Sequence, residues 1–239
     1  MKKIEKNENQ IVFIAGMNET IANSIRRYIG QIPVLAIDEV EISKNDSALY
    51  DETIAHRLGL IPLKAEKTSD KKPGKLSFNI KREGVVYSGD LKGHPAVAYK
   101  NIPITTLAKD QELQISATTR AGKGSEHSKF YPGLMFYRNV SEITLDKEFR
   151  EEIRKVFPNA EIKEKGQQII IIDNKKKDVA DFCEGIASKK KKRAEVEKTD
   201  ELVITVESFG QFSPGDVFTK SIEALKKDFV AFEKSADKI

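Results

Sequence analysis

Residues 11–42 read IVFIAGMNETIANSIRRYIGQIPVLAIDEVEI, and everything else in the chain is organised around what they form. Ile11–Ala15 is β-branched and aromatic, the composition of a strand, and Gly16 ends it. Asn18 is placed to cap a helix, with Glu19 favourable in the first turn. Ile21, Ile25 and Ile29 recur every four residues and make one apolar stripe, which Ala22 widens. Gly30 is a natural C-terminal stop, and Pro33 prevents re-entry into the helix. From Val34 to Ile42 Val34, Ala36, Val40 and Ile42 alternate with Leu35, Ile37, Glu39 and Glu41, which reads as a strand with a partly polar outer face. The opening therefore reads β–α–β.

Moving outward, Asp51–Leu58 reads as a short helix with Ile54 and Leu58 on one side and Gly59 at its end. Glu66–Lys75 (EKTSDKKPGK) is polar, contains Pro-Gly, and reads as a loop. Period two then dominates to Arg120. Leu76, Phe78 and Ile80 alternate, Arg82-Glu83-Gly84 offers a turn, and Val85–Tyr87 returns. A second expected hairpin joins Ile102–Leu107 to Leu113–Thr119 through Lys109-Asp110-Gln111. Ala121–Gly133 is a Gly-rich charged loop. Helices are expected over Asp146–Phe157 and Asp178–Ser188, with a strand at Gln168–Ile172 between them.

The chain ends in a strand, Leu202–Val206, and a helix that Ser213 caps and Pro214 starts. Phe218, Ile222, Leu225, Phe229 and Phe232 follow at spacings of 4, 3, 4 and 3, a heptad seam rather than a broad face. Such a seam needs a partner. Periodicity leaves open whether that partner is this chain's own sheet or another polypeptide.

Composition narrows the function. The 239 residues allow one large domain or two modest ones. Lys plus Arg is 41 against 37 Asp plus Glu, so a net charge of +4 is spread over a mixed-sign surface unlike that of a DNA-coating polycation. One cysteine, Cys183, cannot make an internal disulfide or a Cys-based zinc or iron–sulfur site. Its rarity fits a reducing, cytoplasmic setting. No apolar run approaches the ~18 residues of a membrane span, and the N-terminus lacks a signal-peptide pattern, so export is not expected.

Tests for chemistry come back empty. Gly122-Lys123-Gly124-Ser125 resembles a phosphate loop only superficially, since Ala117 stands where the upstream glycine belongs and no Ser or Thr follows the lysine correctly. Ser125 and His127 are close, yet nothing marks an orienting acid. His56, His94 and His127 have no ligand spacing. No catalytic, cofactor or metal residues are therefore expected. Lys189–Arg193 (KKKKR) reads as a solvated run, with sequence-blind attraction to nucleic acid as the alternative.

Two segments together are specific. Asn18–Pro33 (NETIANSIRRYIGQIP) and Ser47–Leu63 (SALYDETIAHRLGLIPL) resemble the α-like subunits of cellular RNA polymerases. Val86–Lys92 (VYSGDLK), Gly122–Pro132 (GKGSEHSKFYP) and Leu202–Phe209 (LVITVESF) resemble the archaeal D-type branch of that family. The resemblance covers nearly the whole chain and is weakest from Ser141 to Asp200.

It implies an α+β fold with a discontinuous dimerisation domain from residues 1–47 and 201–239. A mostly β insertion would occupy 48–140, and a small α/β domain 141–200. Some archaeal relatives carry a cysteine-ligated iron–sulfur cluster in that third domain, and others bind zinc; with Cys183 alone, neither is expected. The resemblance further implies that Ile21, Ile25, Ile29, Phe218, Ile222, Leu225, Phe229 and Phe232 pack against a smaller, L-type α-like subunit. Asn23, Arg26, Arg27 and Arg57 would dock onto the second-largest polymerase subunit, and small subunits N and P would join the platform. Nucleotidyl transfer, with its Mg²⁺ ions, would run on other chains.

Overall fold

A computed structural model of the chain describes residues 2–64, 73–158, 160–173 and 178–236. In chain order the elements are β1 (Lys2–Lys6), β2 (Gln10–Gly16), α1 (Glu19–Tyr28), β3 (Val34–Asn45), α2 (Asp51–Gly59), β4 (Lys75–Ile80), β5 (Gly84–Tyr87), β6 (Lys92–Gly93), β7 (Pro103–Leu107), β8 (Leu113–Gly122), β9 (Gly133–Asp146), α3 (Arg150–Val156), β10 (Glu161–Lys165), β11 (Gln168–Asp173), α4 (Asp178–Lys189), β12 (Glu195–Ser208) and α5 (Pro214–Ala236). The architecture is α+β, with antiparallel sheets and segregated helices. The expected loop over Glu66–Lys75 lies, for residues 66–72, outside the described residues. No helix among the described residues is long and apolar enough to cross a membrane.

Contacts divide the chain into two units. One comprises Met1–Asn7, Ile11–Asn23 and Phe136–Thr205; the other comprises Glu8–Gln10, Ser24–Met135 and Val206–Ile239. This partition differs from the four sequence segments drawn above.

In the second unit a four-stranded sheet runs β3-β8-β4-β6. Alternation explains its core. β4 buries every second residue, and across the ladder Leu76 faces Ala117, Phe78 faces Ile115 and Ile80 faces Leu113. Ile54 and Leu58 of α2 are fully buried in the same core, worth about 1.5–3 kcal/mol each. Arg57 Nη1 donates to the Ile104 carbonyl at 2.7 Å and ties α2 to β7.

Neither expected hairpin forms. β5 does not return along β4 but pairs with β7, and β7 does not pair with β8. The reason is that β8 is ten residues long and takes β3 on one edge and β4 on the other, so neither edge is left for β7. Val86, Ile104 and Leu107 still enter the common core.

The opening forms in the order β–α–β, as β2, α1 and β3. β2 and β3 lie in different sheets, because β2 joins a six-stranded sheet of order β1-β2-β12-β9-β11-β10. β1 and β10 are highly charged (KKIEK and EIKEK) and show no strand periodicity. Backbone pairing, with one partly buried isoleucine from each strand (Ile4 and Ile162), recruits them to the two edges of that sheet, where charge protects against further pairing. Gly166, at φ 62°, makes the tight β10–β11 turn.

The first unit has its core in Ile143, Leu145, Phe149, Ile153, Ile169, Ile171, Cys183, Ile186 and Ala187. Arg138 Nη2 donates to the buried Asp173 carboxylate at 2.9 Å. An ion pair this dry needs its hydrogen bonds, and a second comes from Arg138 Nη1 to the Asp173 carbonyl at 3.3 Å.

Candidate interaction surface

α1 begins as its sequence requires. Asn18 Oδ1 accepts from the Thr20 amide at 2.7 Å, and the Asn18 carbonyl accepts from Ala22 at 3.1 Å. Its stripe is divided: Ala22, Ile25 and Ile29 are buried within the chain, whereas Ile21 is 52% exposed. A 3₁₀ turn, Ile29–Gln31, follows α1 and packs against α5. The Tyr28 hydroxyl donates to Asp228 of α5, which pushes its pKa up.

Ser213 organises the start of α5. Its Oγ accepts from the Asp216 amide at 3.2 Å and donates to Asp216 Oδ2 at 2.7 Å. The helix runs 23 residues, roughly 34 Å at 1.5 Å per residue. Along it the heptad seam changes character. Phe218 is buried, Ile222 and Leu225 are half-buried, and Phe229 and Phe232 are 65% and 73% exposed. Val230 is exposed beside them. The chain covers the first half of its seam and leaves the second half to solvent. Beside α5 lies a groove of about 360 Å³ lined by Ile32, Pro33 and Ala224 and by the charged Lys123, Lys220, Lys227, Glu223 and Asp228.

The polar residues tied by resemblance to docking are differently placed. Asn23 is half-buried, and Arg26 and Arg27 are exposed in the last turn of α1. Arg57 already serves α2–β7 cohesion through Ile104.

The Gly122–His127 loop has a structural explanation. A Cβ on Gly122 would meet the Phe130 ring at 2.6 Å, so the glycine permits packing rather than cradling phosphate. The Lys123 amide is occupied by Glu126 Oε1 at 2.9 Å. Arg120 bridges Glu126 (2.8 Å) and Asp38 (2.9 Å), and Lys129 Nζ reaches Asp38 at 2.8 Å. Both cations lie over the Phe130 ring, at 4.9 and 5.1 Å. Lys129 and then Arg120 hold the Asp38 carboxyl below its usual range, and Arg120 does the same for Glu126. His127 Nδ1 accepts from the Lys129 amide at 3.1 Å. These groups clamp a loop; the anions a phosphate would replace are part of the clamp.

Cys183 is buried among apolar side chains, and burial pushes its thiol up to about 12. The thiolate that metal ligation or nucleophilic chemistry needs is therefore disfavoured.

The KKKKR run forms the end of α4. The Lys192 amide bonds the Ala187 carbonyl (2.9 Å) and the Lys191 amide bonds that of Ser188 (3.0 Å), a Schellman motif with Lys191 at its left-handed position, φ 58°. Glycine is usual there, and an L side chain costs about 1–2 kcal/mol. Lys190 lies over Phe149 at 4.7 Å, and Lys192 pairs with Asp146 (2.6 Å) and Glu148 (3.0 Å).

Sequence reading missed three features here: the Asp38–Arg120–Glu126–Lys129 clamp, the αL lysine, and the exposed Val230. The first joins residues some ninety positions apart, a separation no local pattern reports. The last sits on α5 outside the heptad positions.

The chain is similar to one family model and to three curated relatives of the same kind. A model of the RNA polymerase Rpb3/RpoA insert domain matches residues 40–132. DNA-directed RNA polymerase subunit Rpo3 of Methanosphaera stadtmanae is 30% identical over 251 residues, covering 93% of each chain. That of Pyrobaculum calidifontis is 32% identical over 240 residues, covering 92% of this chain and 89% of the relative. That of Thermococcus kodakarensis is 42% identical over 160 residues, and the match spans 62% of each chain's length.

Proposed function

We propose, since the chain belongs to the DNA-directed RNA polymerase subunit Rpo3 family, that it is a non-catalytic assembly subunit of an archaeal RNA polymerase. Residues 1–47 and 201–239 act as the dimerisation part, 48–140 as the insertion and 141–200 as a third segment. The dimerisation part pairs with an L-type α-like subunit, and small subunits N and P and the second-largest subunit assemble on the pair. The chain itself works in the cytoplasm and needs no cofactor.

One observation carries this reading: the heptad seam of α5 is buried at Phe218 and exposed at Phe229 and Phe232. Exposed phenylalanines in register with buried ones are a half-made helix interface. Obligate interfaces of this type bury more than ~2,000 Å² and resemble a core cut in two. Ile21, exposed on α1, supplies a further apolar contact. Arg26 and Arg27, exposed at the end of α1, suit forked bonds to carboxylates or carbonyls of a large subunit. Asn23 and Arg57 extend the same docking set.

Co-expression with an L-type subunit, followed by size-exclusion chromatography and mass determination, tests the pairing. A stable one-to-one complex is the expected product. A chain that remains monomeric and monodisperse in the presence of that subunit overturns the proposal.

A further inference from the structure

We propose that the turn after α4 is a contact point for a nucleic-acid phosphate backbone, made by Lys189, Lys191 and Arg193. The five consecutive cations do not behave alike. Lys190 and Lys192, though exposed, are engaged by Phe149, Asp146 and Glu148, and so anchor the run. Lys189, Lys191 and Arg193 are exposed and make no ion pair with any described residue.

The Schellman hydrogen bonds hold the backbone between them, so three charges are displayed on a preorganised turn instead of a loose tail. Preorganisation lowers the entropic cost of binding. Lys191 holds the most constrained place of the three. It occupies a left-handed position that glycine would fill without strain, so its charge is kept at a conformational cost.

Charge is all the turn offers. Residues 188–193 are exposed and contain no aromatic or branched apolar side chain, so neither base stacking nor capture of an apolar peptide side chain is available. A uniform line of phosphates is the partner that bare cations suit best. Glu195 and Glu197 follow on β12 and confine the footprint to the turn. The inference does not depend on pairing with an L-type subunit.

The test uses the full chain and a short labelled DNA duplex of mixed sequence, with anisotropy measured across a salt series. The triple variant Lys189→Ala/Lys191→Gly/Arg193→Ala is compared with Lys92→Ala/Lys100→Ala/Lys109→Ala, which removes the same charge from exposed positions elsewhere. The turn variant is expected to flatten the slope of log K against log salt by about 2.7, or roughly 0.9 per phosphate lost, and the control to leave it unchanged. Lys191→Gly alone should raise the melting temperature while flattening the slope by about 0.9. Equal losses in both triple variants, or no salt-dependent binding by the parent chain, overturn the proposal. So does a turn that binds polyglutamate but not the duplex, which would make the partner an acidic protein.

Discussion

Truncating Phe229 separates an interface role from a folding role. Its ring is 65% exposed, so most of its apolar surface is still to be buried. Full burial of a Phe side chain is worth about 1.5–3 kcal/mol, and the exposed share corresponds to about 1–2 kcal/mol. Phe229→Ala should therefore weaken pairing with an L-type subunit by roughly 5- to 30-fold, at about 1.4 kcal/mol per tenfold. Phe229→Asp adds the cost of desolvating an unpaired carboxylate and should abolish pairing. The isolated chain should hardly notice either change, since exposed positions usually move stability by no more than about 0.5 kcal/mol. Phe218→Ala is the contrast: that ring is buried on the same seam, and its loss should cost the chain itself about 3–5 kcal/mol. Affinity by titration calorimetry and stability by urea denaturation of each variant decide the matter. Undiminished affinity in Phe229→Ala, or destabilisation of the free chain comparable with that of Phe218→Ala, would refute the reasoning.

Other outcomes follow from the interior. Cys183, with its thiol raised to about 12 by burial, should resist alkylation at pH 8 in the native chain and react promptly in denaturant. Asp38 and Glu126 have folded pKa values below their ordinary ones, so the stability they confer is present above the ordinary carboxylate range and lost as the pH falls through the depressed values. Melting temperature should accordingly drop on acidification through that range, and Arg120→Met should flatten the dependence. Gly122→Ala should destabilise by about 1–3 kcal/mol, because the new methyl meets the Phe130 ring; an unchanged urea midpoint would count against that packing. Leu58→Ala, in the core of the second unit, should cost about 2–5 kcal/mol in the same assay.

Features written in local sequence were legible. Asn18 and Ser213 start their helices through bonds spanning two or three residues. The alternation of Leu76, Phe78 and Ile80 appears unchanged as one buried strand face. What escaped was nonlocal. Turns at Arg82-Glu83-Gly84 and Lys109-Asp110-Gln111 suggested hairpins, but strand partners are chosen by which edges remain open once the longest strand is satisfied. Charged β1 and β10 gave no signal because ladder hydrogen bonds belong to the backbone, which every sequence shares. The 14-residue β9 went unread for a related reason: buried on neither face throughout, it lacks a sustained period.

By itself the amino-acid sequence determined the helix faces, the starts of α1 and α5, the absence of a thiolate cluster and membership of a family, since each is a matter of residue type at short spacing. Only the tertiary structure decided that Ile25, Ile29 and Phe218 are spent on the chain's own interior while Ile21, Phe229 and Phe232 are left over. A heptad repeats the same chemistry at every turn. Whether a given turn is covered depends on where the rest of the chain runs out of surface to cover it with.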